Sequence, residues 1–92
     1  MSDKSRLLDL ISQREIMCSE PLEYEKVYQW LEELHYLLGR IDFSSSVASK
    51  IRRAIDEVFF NTDKCLLAEK IIQIKAKLFV FEKYEAEKLR DN

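Results

Sequence analysis

The chain has 92 residues, 47% of them hydrophobic and 11% aromatic, and carries 15 Lys and Arg against 17 Asp and Glu, a formal net charge of −2. This length and apolar content predict one ordered domain, spanning residues 1–92, and the charge gives no general attraction to nucleic acid or to an anionic membrane. A single Gly and a single Pro are too few for the turns of a sheet protein. The composition therefore predicts an all-α fold, a small four-helix bundle-like domain with a long C-terminal helix.

Two helices are predicted in the first part of the chain. Residues 3–17 form the first, because their apolar side chains recur at helical spacing on one face. Residues 20–38 form the second: Pro21 is tolerated in a first turn, and Gly39 suits the left-handed conformation that commonly ends a helix.

An aromatic group lies at the edge of the second predicted helix. Trp30 and Leu37 are seven residues apart on one flank, and Tyr36 points nearly opposite the core face. Such residues pack at the edge of a core or anchor a protein interface at its rim. Both interpretations are open at this point, and the second makes Trp30, Tyr36 and Leu37 candidates for a partner surface.

The second helix also contains the chain's one histidine. Glu32 and His35 have the i, i+3 spacing of metal ligands in di-iron helical bundles. Such a site needs a further carboxylate, and Glu57 on the third helix is the nearest candidate although it lies off the core face. The alternative is a histidine at the core edge, hydrogen-bonded to a carboxylate or a carbonyl. A metal-binding bundle is therefore a minor alternative.

Residues 43–60 form the third predicted helix, which has one clear apolar face. Its basic cluster consists of Lys50, Arg52 and Arg53. These side chains could reach phosphates if this helix acted as the recognition helix of a helix-turn-helix-like protein. Asp56 and Glu57 follow at i, i+4 and would neutralise the two arginines locally. Nucleic-acid association is therefore an alternative function.

The last predicted helix, residues 62–89, has more apolar surface than one face can hold. At about 1.5 Å per residue it would be roughly 42 Å long. One row has the four-three spacing of a core seam and consists of Leu67, Ile71, Ile74, Leu78 and Phe81. A second row contains Cys65, Ala68, Ile72, Ala76 and Phe79, and a third side carries Leu66, Val80 and Tyr84. The predicted partner surface is the part of this helix that the three shorter predicted helices leave uncovered. It consists of Ile72, Phe79, Val80 and Tyr84.

The function expected from these patterns is protein–protein interaction, by a small accessory subunit or a homo-oligomer that covers the long helix with another chain. The partner is this chain itself or a larger complex. No catalytic residue set and no cofactor site is recognisable in the motifs. Cys18 and Cys65 are expected as buried thiols, and the N-terminal residues resemble neither a signal nor a transit peptide. The expected location is the cytoplasm, or the nucleus of a eukaryote, without membrane attachment.

Overall fold

A computed structural model describes residues 3–40, 46–60 and 64–84 of the chain. Within these ranges the chain forms five α-helices: α1 (Asp3–Ser12), α2 (Arg14–Met17), α3 (Tyr24–Arg40), α4 (Ser46–Phe60) and α5 (Lys64–Tyr84). No strand occurs in the described ranges. The predicted all-α, bundle-like fold is confirmed.

The helices surround one core. Each of α3 and α5 packs against α4 on one side and against the α1–α2 segment on the other, so that α3 and α5 lie at diagonal corners of the bundle. The four longer helices all contribute fully buried apolar side chains, such as Leu7, Leu34, Ile55 and Phe81. Among the described residues no polar or charged side chain is buried, so burial of apolar surface is the main stabilising interaction.

The first predicted helix is interrupted. The structure ends α1 at Ser12 and begins α2 at Arg14, so a continuous helix over residues 3–17 is wrong. At the break the Gln13 N–H donates to both the Asp9 and the Leu10 carbonyl, each at 3.2 Å. The buried indole Nε1–H of Trp30 donates to the same Leu10 carbonyl at 2.7 Å. A side chain from α3 thus supplies a partner for a carbonyl where the regular helix ends.

The start of the second predicted helix is also corrected. A cis peptide bond joins Glu20 to Pro21, and both residues precede α3, which begins at Tyr24. The first turn of α3 is closed by the Val27 N–H, which donates to the Glu23 carbonyl at 2.9 Å. Pro21 is therefore not a first-turn residue of this helix.

Gly39 does not end α3. The helix continues to Arg40, and the described residues include no positive φ angle. Arg40 secures this last turn, because its guanidinium donates to Asp3 at 2.9 Å and to the Tyr36 hydroxyl at 2.8 Å. The glycine instead allows a close approach: a Cβ at Gly39 would lie 3.2 Å from Nη2 of Arg52 on α4.

The last two helices agree with the sequence pattern within the described ranges. α4 falls inside the predicted residues 43–60, and α5 falls inside the predicted residues 62–89. Residues 43–45, 62–63 and 85–89 of those predictions lie outside the described residues. In the described part of the chain, no helix has both the length and the apolar character needed to cross a bilayer.

Candidate protein-interaction surface

The core row of α5 is completely covered by the chain's own helices. The predicted row is buried throughout and consists of Leu67, Ile71, Ile74, Leu78 and Phe81. Their neighbours belong to α4 on one side of α5 and to α1 and α2 on the other. The four-three spacing therefore identified the face on which α5 packs.

The opposite side of α5 carries apolar side chains in contact with solvent. At about 100° per residue, Ala76 lies about 160° around the helix from the buried Leu78. The exposed apolar residues around it form what we call the outer face: Leu66, Ile72, Ala76, Phe79, Val80 and Tyr84. Exposure reaches 59% for Ile72, 53% for Phe79 and 68% for Tyr84. Adjacent large apolar side chains exposed on one helix are a feature of interaction sites.

Salt bridges fix both edges of this face. On one edge the Arg14 guanidinium binds both carboxylate oxygens of Glu82, at 3.1 and 3.0 Å, and Lys75 binds Glu15 at 3.0 Å. On the other edge Lys70 of α5 binds Glu57 of α4 at 3.2 Å. These contacts tie α5 to α2 and to α4, so the outer face is held in place by the fold.

Two charged side chains lie on the outer face itself. Glu69 and Lys83 form no ion pair within the described part of the chain. Charged side chains of α5 at the edges of this face do form ion pairs, namely Lys70, Lys75 and Glu82. The Lys83 ammonium lies 6.0 Å from the centre of the Phe79 ring, and the Arg14 guanidinium lies 5.8 Å from it. The ring of Phe79 therefore contacts solvent between two cations.

The aromatic flank of α3 differs from its prediction. Trp30 is only 3% exposed and Leu37 is also buried, so neither side chain is available to a partner chain. The helical spacing placed both residues at an edge, but α1 covers Trp30 and accepts its indole hydrogen bond through Leu10. Tyr36 is exposed, yet it lies on α3, diagonally opposite α5, and its hydroxyl binds Arg40. The predicted partner surface is thus reduced to residues of α5.

His35 lies at the rim of an open depression of about 510 Å³, with Glu32, Tyr36, Asp56 and Phe59. Its Nε2 atom is 2.9 Å from Oδ1 of Asp56. The hypothesis of a core-edge histidine bonded to a carboxylate is therefore confirmed. Glu57, the acid considered for a metal site, binds Lys70 instead. No group of three or more His, Cys, Asp or Glu side chains that could hold a metal ion occurs within residues 3–40, 46–60 and 64–84.

The basic cluster is exposed on α4. Lys50, Arg52 and Arg53 all contact solvent, and the Arg52 guanidinium lies over Gly39 of α3. The acids predicted to neutralise these arginines have other partners, since Asp56 binds His35 and Glu57 binds Lys70. Three cations and two paired acids on one short helix give only a small positive surface.

Comparison of the chain with protein-family models, with curated proteins and with solved structures found no match.

Proposed function

We propose that this protein is a protein-interaction module whose outer face on α5 packs against a helix of a partner chain. The observation that supports the proposal is the exposure of Ile72, Phe79, Val80 and Tyr84 beside a core row that is already complete. Because the core does not need these side chains, their apolar character is better explained by contact with another protein. A role as a small accessory subunit or as a homo-oligomer follows from the same surface.

Binding would occur by helix-on-helix burial. Each Å² of apolar surface removed from water contributes about 25 cal/mol. Phe79 and Tyr84 would act as the aromatic anchors of the contact, since a few large side chains supply most of the binding energy of an interface. The edge salt bridges support the proposal because they hold the helix in position before binding. The proposal includes a cytoplasmic or nuclear location and no cofactor.

The experiment compares the wild-type chain with an Ile72→Ser, Val80→Ser variant. Both side chains are exposed, so the variant should remain folded. Self-association is measured by sedimentation velocity up to about 200 μM, which detects binding of about −5 kcal/mol. Proteins retained from the native cell by immobilised chain are then purified and tested individually for direct binding.

The expected result is self-association, or direct binding of a purified protein, that the variant loses. A matched Tyr36→Ser variant removes an exposed aromatic residue from α3 and should bind as the wild type does. The proposal is wrong if the wild type neither self-associates nor binds a partner, or if the two variants bind equally well.

A second proposal is nucleic-acid association through Lys50, Arg52 and Arg53. It is supported by their exposure on α4 and by the pairing of Asp56 and Glu57 with other residues. Three phosphate contacts would give a slope of about −2.7 in a plot of log affinity for duplex DNA against log salt. Lack of binding at low salt, or equal binding by an Arg52→Ala, Arg53→Ala variant, would exclude it.

A further inference from the structure

We infer that the partner at the outer face is a second copy of this chain, with the two α5 helices antiparallel and crossing at Ala76. The inference rests on the proposed function and adds the identity and orientation of the partner. It depends on the order of charged and apolar residues along the outer face of α5.

Charge selects the orientation. Glu69 precedes Ala76 by seven residues and Lys83 follows it by seven. Both point within about 20° of the direction of Ala76. A two-fold axis at Ala76 that reverses the second helix places Glu69 of each copy opposite Lys83 of the other. A parallel pair in register would instead place Glu69 opposite Glu69 and Lys83 opposite Lys83, and like charges at an interface are unfavourable.

The apolar residues fit the same axis. Ile72 lies four residues before Ala76 and Val80 four residues after it, so Ile72 of one copy and Val80 of the other occupy the same layer of the pair. Phe79 and Ile72 lie on one side of the outer face, so the axis brings Phe79 against Ile72 of the other copy. On the other side Val80 contacts the exposed Gln73. The small Ala76 at the crossing point permits a short distance between the helix axes, which depends on the side chains at the contact.

The remaining charges of α5 do not oppose this arrangement. Lys70, Lys75 and Glu82 lie at the edges of the outer face and are paired with Glu57, Glu15 and Arg14 of the same chain. Lys77 lies about 100° around the helix from Ala76, also at an edge of the outer face and far from the crossing line through Ala76. Glu69 and Lys83 are thus the charges that the interface would pair.

The inference is tested by charge reversal, with self-association measured by sedimentation equilibrium. Glu69→Lys and Lys83→Glu should each weaken self-association about tenfold, because each replaces two attractive pairs with two repulsive ones. The double variant should return to within about threefold of the wild type, since it restores opposite charges. An equimolar mixture of the two single variants should form a heterodimer.

Control variants carry the same charge changes away from the outer face. Lys50→Glu on α4 and Glu32→Lys on α3 alter exposed residues and should leave self-association unchanged. If they weaken it as much as the α5 variants do, net charge explains the effect and the proposed pairing is wrong. If the double variant associates no better than the single ones, the antiparallel orientation is wrong.

Disulfide cross-linking tests the axis directly in a Cys65→Ser background. A mixture of an Ile72→Cys chain and a Val80→Cys chain should form a mixed disulfide, because these positions lie in the same layer of the antiparallel pair. Ile72→Cys alone should not cross-link, since its two copies would be roughly 12 Å apart along the axis and a disulfide requires a Cα separation below about 7 Å. Cross-linking of Ile72→Cys to itself would instead indicate a parallel pair.

Cys18 does not interfere with the cross-linking. Its thiol is buried, 3.9 Å from the carbonyl of Ile71, and burial raises its pKa to about 11. A wild-type chain that remains monomeric to about 200 μM, yet binds a different purified protein through the outer face, would overturn the inference and leave the proposed function intact.

Discussion

Trp30 contributes to the fold through both its ring and its indole N–H. The ring is buried against the core, and the N–H donates to the Leu10 carbonyl at the end of α1. This carbonyl also accepts a hydrogen bond from the Gln13 N–H. A buried polar group that loses its partner destabilises a protein by the cost of its desolvation. Trp30 is therefore important for the packing of α1 on α3.

Replacing Trp30 with Phe should lower the free energy of unfolding by about 1–3 kcal/mol, because the variant loses a buried hydrogen bond and part of a large ring. Urea denaturation followed by circular dichroism measures the change. Tyr36→Phe is the control, since its hydroxyl binds Arg40 at the surface and should contribute less than about 0.5 kcal/mol. An effect of Trp30→Phe no larger than the control would contradict this role.

Glu33 connects α3 to α1 through a pair of hydrogen bonds. Nε and Nη2 of Arg6 donate to its carboxylate at 2.6 and 2.9 Å. These hydrogen bonds hold the pKa of Glu33 below its ordinary value, and burial opposes them only in part. Since the folded pKa lies below the unfolded one, ionised Glu33 stabilises the fold above the unfolded pKa. This contribution is lost as the pH falls through the folded pKa.

A Glu33→Gln variant should therefore lose less stability than the wild type when the pH is lowered from about 6 to about 3. Urea midpoints measured across this range give the comparison. Glu32→Gln changes the neighbouring exposed carboxylate, which forms no ion pair in the described part of the chain, and should follow the wild type. Parallel pH profiles for Glu33→Gln and the wild type would show that the Arg6 contact has no effect on stability.

At the scale of the element, α5 combines a buried face and an exposed face within the same turns. Phe81 is fully buried and Phe79 is about half exposed, although they are two residues apart. Ile71 and Ile72 differ in the same way although they are adjacent. The helix is therefore apolar on opposite sides, and only the buried side belongs to the core of this chain.

Phe81→Leu should lower the free energy of unfolding by about 1–2 kcal/mol, because it leaves a cavity in the core. Phe79→Leu makes the same chemical change on the outer face and should cost less than about 0.5 kcal/mol. Both values come from urea denaturation at a concentration at which the chain is monomeric. Equal losses for the two variants would mean that the outer face belongs to the core.

Helical spacing predicted the core row of α5 because burial on one side of a helix must recur with its period. The same reasoning placed Trp30 and Leu37 at an edge, since the period does not specify how far α1 extends over α3. Near the break at Gln13, the Leu10 carbonyl accepts a hydrogen bond from an indole of another helix, and no local pattern contains that contact. The carboxylate that lies beside His35 belongs to Asp56 and not to Glu57. Which of the two acids lies there depends on how α3 and α4 cross.

At the scale of the whole molecule, one apolar core joins all the described helices. α1 and α2 contact both α3 and α5, and α4 also contacts both. If α1 and α2 separated from the bundle, they would therefore expose apolar surface on both α3 and α5, and the same holds for α4. A domain organised in this way is expected to unfold in one cooperative transition.

Urea unfolding should accordingly give the same midpoint by circular dichroism and by fluorescence of Trp30, the one tryptophan of the chain. The first method measures all the helices, and the second measures the contact between α1 and α3. The Phe81→Leu variant should shift both midpoints equally, although Phe81 lies on α5. Separate midpoints would mean that α1 and α3 unfold independently of α4 and α5.

The two faces of α5 also mean that neighbouring codons are under different constraints. A polar substitution at Ile71 would reduce the amount of folded protein, because that side chain is fully enclosed. The same substitution at Ile72 would leave the fold intact and change only the surface that the chain presents to its surroundings. In a saturation library of this helix, polar substitutions in the core row would therefore have the lowest abundance scores. Codons 72, 79, 80 and 84 would tolerate polar residues unless the selection required contact between chains.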